Sequence, residues 1–210
     1  MGKLTKTQNQ PSQVTPPDIV QMTILLDRSG SMDTVWSTAV GGLIKLRQDL
    51  PCELLSVQTF NDYWEMIKDF DQPDEDTSSL RPVGNTNLYG AILAAIEHSR
   101  QAASFTPEFK AHHAFVIITD GESNAHSPDE FERCKKEIKK MDIDATFFLL
   151  DSSPYQTAGE ELGWASTQFA NTPKSITDAI KKVQQTLSQI SDNVANKLPP
   201  TTNLALPPAK

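Results

Sequence analysis

Along this chain, short apolar runs alternate with stretches whose apolar residues recur every three or four positions. The runs at 19–26, 53–60, 114–118 and 145–150 are dense in Ile, Leu, Val and Phe. Their length and unbroken apolar character predict strands covered on both sheet faces. Between them, Val35, Ala39, Leu43, Leu46 and Leu50 share one helical face, as do Leu88, Ile92, Ala95 and Ile96, and then Phe131, Cys134, Ile138 and Met141. The longest stripe, Ile176, Ile180, Val183, Leu187, Ile190 and Val194, predicts a C-terminal amphipathic helix docked on the sheet. The run at 64–70 follows Phe60 after only three residues. That gap is too short for a parallel crossover and predicts an antiparallel hairpin whose second strand is an edge. Residues 168–171, after a helical stretch at 156–163, are the candidate last strand. The expected fold is α/β: a doubly wound, mostly parallel open sheet with one antiparallel edge strand and helices on both faces. In such sheets ligands bind beyond the carboxyl ends of the central strands.

Residues 1–17 and 196–210 are rich in Pro, Thr, Gln, Asn and Lys and lack periodicity, so they are expected to be flexible arms around one domain at 18–195. Nineteen Lys and Arg against 27 Asp and Glu leave a formal charge of −8. That balance disfavours nucleic acid and membrane surface as partners. No apolar run approaches the ~20 residues of a membrane span, and the first residues lack the apolar segment of a signal peptide, so a cytoplasmic location is expected. Cys52 and Cys134 are far apart and without CxxC spacing, which points to packing rather than to a disulfide or zinc.

Three segments carry candidate chemistry, each where a strand ends or a loop enters a helix: Asp27-Arg28-Ser29-Gly30-Ser31-Met32, Gly84-Asn85-Thr86-Asn87 and Thr119-Asp120-Gly121-Glu122. Alternation of Asp27, Ser29 and Ser31 lets an extended turn aim a carboxylate and two hydroxyls the same way. Thr86 adds a hydroxyl and Asp120 a second carboxylate. Oxygen donors alone suit a hard divalent cation. Mg²⁺, which keeps several waters, is the first choice; Mn²⁺ fits too, and Ca²⁺ is a third option that normally takes more carboxylates. Two carboxylates neutralise a dication and three hydroxyls add no charge, so the ion would keep an open position and attract an external carboxylate. Taken alone, Asp-x-Ser-x-Ser is more often a helix-capping turn.

With Thr86 and the Thr119-Asp120-Gly121 turn, the segment Ile24-Leu25-Leu26-Asp27-Arg28-Ser29-Gly30-Ser31-Met32 resembles the metal-ion-dependent adhesion site of von Willebrand factor A domains, and the order of motifs matches over the whole core. The resemblance implies direct or near-direct metal coordination by Ser29, Ser31 and Thr86, with Asp27 and Asp120 acting directly or through water. It also implies five parallel strands beside the antiparallel edge. Many members have two glycines before the threonine. Here Gly84-Asn85 stands instead; Asn tolerates left-handed backbone better than most residues, so the loop is expected to be intact.

The function expected on these grounds is a metal-dependent protein-interaction module, not an enzyme, whose partner presents an Asp or Glu. The resemblance extends this to a scaffold subunit of bacterial or phage type. A metal-assisted phosphohydrolase is the competing class. Against it, Ser29 stands where a second carboxylate would serve as acid or base, and no Gly-rich loop with Lys is present. The acidic residues Asp69, Asp71, Asp74, Glu75 and Asp76 read as a solvated loop at the far pole. His112 and His113 read as exposed positions ahead of a strand, and His126 as a lone rim residue. Asn61, Asp62, Glu122, Asp151 and Tyr155 fall on loops at the metal pole, where they either shape a binding surface or make turns and caps.

Overall fold

In the computed structural model, the described residues are 18–49, 54–68, 80–105, 107, 109–120, 123–141, 145–151, 162, 166–168, 177–178, 181–185, 188–189 and 192. The central strand, β1 (Asp18–Asp27), leads through a short 3-10 turn (Gly30–Thr34) into α1 (Trp36–Asp49). There follow β2 (Leu54–Phe60), β3 (Trp64–Lys68), α2 (Leu88–Phe105), β4 (Lys110–Thr119), α3 (Pro128–Met141), β5 (Ala145–Asp151) and β6 (Ser166–Gln168). One six-stranded sheet has the order β3-β2-β1-β4-β5-β6. Every pairing is parallel except β2 with β3. The doubly wound architecture and the antiparallel edge are those the hydrophobic pattern predicts.

Strand periodicity divides the core into two layers. Met22, Ile24 and Leu26 of β1 join Val57, Val116, Ile118 and the α1 residues Ala39, Leu43 and Leu46 on one face. On the other, Leu25, Phe115 and Ile117 join Leu88, Ile92 and Ile96 of α2 and Cys134 and Ile138 of α3. Two positions of β1 on this second face are polar and still buried. Gln21 Nε2 donates to the Ser99 carbonyl at 3.1 Å and Thr23 shares a 3.1 Å hydrogen bond with the Ser99 hydroxyl, so Ser99 of α2 serves both polar side chains. Cys134 is wholly buried, and burial pushes its thiol far up, in keeping with packing. Both helices that leave the site are capped. Asn87 Oδ1 accepts the Gly90 N–H at 3.0 Å, and Ser127 with Glu130 forms a reciprocal capping box around Pro128.

Some boundaries move. β4 starts at Lys110, four residues before the apolar run, because 110–113 pair in parallel register with Asp18–Gln21 of β1. His112 and His113 therefore lie inside the strand and are half-buried, not exposed ahead of it, and His112 Nε2 lies 3.2 Å from Asp18 Oδ1. The last strand is 166–168, shifted toward the N-terminus from the expected 168–171. Of the C-terminal stripe, Val183 is fully buried against the α1 layer. The terminal arms, Cys52, the acidic loop 69–76, Leu50 and Tyr155 lie outside the described residues.

Candidate metal centre

β1 and β4 are neighbours, so Asp27 and Asp120 leave the sheet side by side at its carboxyl end. Asp27 is completely buried. Its Oδ1 accepts the Ser29 N–H at 2.7 Å and its Oδ2 accepts the Thr119 hydroxyl at 2.6 Å. Burial pushes its carboxyl up to about 6, against the pull of those hydrogen bonds from Thr119 and Ser29. Asp120, half-buried, is also raised by burial, opposed by the hydroxyl of Ser31.

The turn after Asp27 is extended only as far as Ser29 (φ −61°, ψ 162°); Ser31 already sits in the 3-10 turn. Ser29 occupies the N-cap position, yet its side chain makes no capping hydrogen bond. Its hydroxyl lies 3.1 Å from the Ser31 hydroxyl, which donates to Asp120 Oδ1 at 2.9 Å. The capping explanation of the motif therefore fails at Ser29, and the two serines and Asp120 form one continuous line of oxygen atoms. Arg28 turns away from it, pairing with Glu65 of β3 at 3.0 Å.

Thr86 is buried in the loop before α2. That loop is stitched to the serine turn by Gly30 N–H to the Gly84 carbonyl (3.0 Å) and Val83 N–H to the Arg28 carbonyl (2.8 Å). From the other side, Asn124 Oδ1 accepts the Thr86 N–H at 2.9 Å, while the N–H groups of Asn124 and Ala125 donate to the Thr86 carbonyl. The recorded hydrogen bonds of Thr86 thus use its backbone. Gly84 takes left-handed backbone (φ +84°), and the Asn85 side-chain amide donates to Asp62 Oδ1 at 2.8 Å.

All five predicted residues fall at one pole. Ser29, Ser31 and Asp120 are in direct contact, Asp27 is joined to Ser29, and Thr86 is joined through its loop. Of the residues that brace Asp27 and Thr86, Thr119 stands in the Thr119-Asp120-Gly121 motif without its own role being legible there, and Asn124 carries no sequence signal, since a single Asn in a polar loop matches many turns. Of the other rim residues, His126 packs edge-on against Tyr89 with ring centroids 4.6 Å apart, and Asp151 closes β5. Glu122 lies outside the described residues. Among the described residues no group of three or more His, Cys, Asp or Glu side chains is placed to hold a metal ion, so a cation here would rely on hydroxyl oxygens. The donor set fits a hard dication: two carboxylates and three hydroxyls, with no thiolate or imidazole among them.

Comparison with solved structures decides the fold. A von Willebrand factor type A protein from Catenulispora acidiphila matches over 81% of this chain and 43% of its own, with 16% identity and a TM-score of 0.64. The fold is that of a von Willebrand factor A domain. The manganese-loaded TRAP protein of Plasmodium vivax matches the same A-domain fold over 80% of this chain and 73% of its own, at 15% identity and a TM-score of 0.57. The von Willebrand domain of the type V pili tip protein Mfa5 from Porphyromonas gingivalis matches over 84% and 96%, at 12% identity and 0.54. This chain spans less than half the length of the Catenulispora protein. No protein-family model matches its sequence, and no curated protein does. Among the described residues no helix is long and apolar enough to cross a membrane.

Proposed function

We propose that this chain is a cation-dependent protein-interaction module, in which Asp27, Ser29, Ser31, Thr86 and Asp120 hold a divalent ion and a partner's Asp or Glu completes the coordination. The observation that carries the reading is the Ser29–Ser31–Asp120 line, where a serine in a capping position leaves the cap and turns toward the carboxylate of a neighbouring strand. Mg²⁺ is the favoured ion, with Mn²⁺ and Ca²⁺ as alternatives of the same oxygen chemistry. The manganese-loaded neighbour supports a divalent ion in this fold. When bound, the ion supplies a Lewis-acidic open position for a carboxylate.

The chain's own residues do the rest. Asp27 and Thr119 form the buried floor, and Thr119 orients the carboxylate by donating to it. Ser31 and Asp120 stand nearer solvent than Asp27 and Ser29, so the partner approaches from their side. With a net charge of −8, the body of the protein repels acidic surfaces. A fitting partner therefore shows one acidic side chain set in neutral or basic surroundings. We assign the chain a binding rather than a hydrolytic role, because the carboxylate beside a serine hydroxyl, Asp120 on Ser31, is one that the proposed cation would engage. A cytoplasmic scaffold role of bacterial or phage type is the setting we propose.

The test is affinity capture of partners with Mg²⁺ and with excess EDTA, using the intact chain and its Asp120→Ala variant. Capture that needs both the ion and Asp120 is the expected outcome. Equal capture in EDTA, or by a folded Asp120→Ala variant, overturns the reading, and Mg²⁺-dependent release of phosphate from a phosphomonoester would favour the hydrolase instead.

A further inference from the structure

We propose that Asp62, in the turn between β2 and β3, is a positioning residue that locks the loop carrying Thr86 into the shape from which its hydroxyl serves the cation site. This deepens the metal reading above and rests on it for its purpose, though the lock itself exists without a cation. Asp62 grips Asn85 twice: Oδ2 accepts the Asn85 backbone N–H at 2.9 Å and Oδ1 accepts the Asn85 side-chain amide at 2.8 Å. A carboxylate gripping two N–H donors makes stronger, more directional bonds than a neutral acceptor would. The same two bonds hold the Asp62 carboxyl below the usual carboxylate range.

The rest of the turn reinforces the grip. Asn61, buried, donates from Nδ2 to the Val83 carbonyl at 2.9 Å, and its backbone carbonyl accepts the Asn87 N–H at 2.8 Å. The turn therefore holds Val83, Asn85 and Asn87, flanking Thr86 on both sides. Gly84 makes the close approach feasible: its φ is +84°, and a Cβ there would run into Asp62 Oδ2. The side chain at position 85 gains a purpose by the same geometry. Where the resemblance leads one to expect a second glycine, this chain has an Asn whose amide is the handle that Asp62 holds.

The experiment uses the full chain with Mn²⁺ as probe, followed by electron paramagnetic resonance of the free ion, and amide hydrogen exchange of residues 84–86 in EDTA. In Asp62→Ala, exchange at 84–86 speeds up, Mn²⁺ affinity falls by about 10–100-fold, the range for residues that orient metal ligands, and the melting temperature in EDTA changes little. Asp62→Asn, which keeps one acceptor, recovers part of both losses. Unchanged exchange in Asp62→Ala overturns the lock. So does wild-type Mn²⁺ affinity in that variant, or an Asp62→Asn chain that binds as weakly as Asp62→Ala while exchanging like wild type, since only charge would then matter. If the wild-type chain binds no Mn²⁺, the metal reading alone fails, and the exchange data decide the lock.

Discussion

Two carboxylates in this molecule are treated in opposite ways. Glu137, on the outer part of α3, lies 2.6 Å from Lys140 Nζ and 2.6 Å from Arg100 Nη1 of α2, and these partners pull its carboxyl down to about 2. Asp27, at the buried end of β1, is held by neutral donors of Thr119 and Ser29 with no cation beside it among the described contacts, and burial pushes it up to about 6. Glu137 is neutralised by its own chain. Asp27 sits in a setting that a bound cation would complete, as where stability is given up at a site for binding.

The sharpest way to break that contrast is Asp27→Asn. Burial raises the Asp27 carboxyl from its ordinary 3.8 to about 6 in the folded chain. The native state thus holds its proton more tightly, and stability from this group is full below pH 3.8 and lost as pH rises through 6. A rise of that size is worth about 3 kcal/mol at neutral pH. Asn keeps one acceptor for Ser29 and can donate to a reoriented Thr119 hydroxyl. In EDTA at pH 7, urea unfolding should therefore find Asp27→Asn more stable than wild type by up to about 3 kcal/mol, with the gap closing toward pH 4. A variant less stable than wild type at pH 7 would mean that Asp27 is not a strained charge.

With cation present the gap should close. An ion that binds only the native state adds ~2.7 kcal/mol at a hundred times its dissociation constant. Calorimetry in Mg²⁺ or Mn²⁺ should show that gain for wild type and for Glu137→Gln, and none for Asp27→Asn or Thr86→Ala. A gain retained in both site variants would place the ion elsewhere.

Thr119→Val comes next in size. It keeps the shape and removes the donor to Asp27 Oδ2, a bond to a charged acceptor worth about 1.5–3 kcal/mol. The loss should be largest at pH 7 and shrink toward pH 4, where Asp27 is protonated. A pH-independent loss would assign Thr119 to packing alone.

How much of this contrast the sequence showed depends on the range of each interaction. The five oxygen residues were legible because they fall in three short motifs at ends of runs of Ile, Leu and Val. The roles of Thr119 and Asn124 were not, because Thr119 meets Asp27 across the ends of two strands and Asn124 meets Thr86 across two loops. The strand at 110–113 was hidden by Lys110 and two histidines, and pairing with Asp18–Gln21 rather than apolar pattern makes it a strand. Gln21 and Thr23 are polar residues within a run read as covered on both faces, and the opposing Ser99 gives each of them a hydrogen bond there. At 85 the pattern was read through backbone preference, whereas the structure uses the Asn side chain.

The smallest expected effect is at Glu137 itself, and it tests the other half of the comparison. Here the folded carboxyl is the stronger acid, so its contribution is present above the ordinary 4.5 and lost as pH falls toward 2, opposite in sign to Asp27. The Lys140 side chain is more than half exposed, and solvent screens the pair, so the shift overstates the energy. Glu137→Gln should cost no more than about 1 kcal/mol at pH 7, and less in high salt. Below pH 3 the difference from wild type should fade, because the wild-type carboxyl approaches protonation there as well. Cation affinity should be untouched, since Glu137 joins α3 to α2 and makes none of the contacts of the serine turn. If Glu137→Gln weakened Mn²⁺ binding as strongly as Thr86→Ala, the two carboxylates would be coupled through α2, and the division between a self-neutralised charge and one awaiting a cation would not hold.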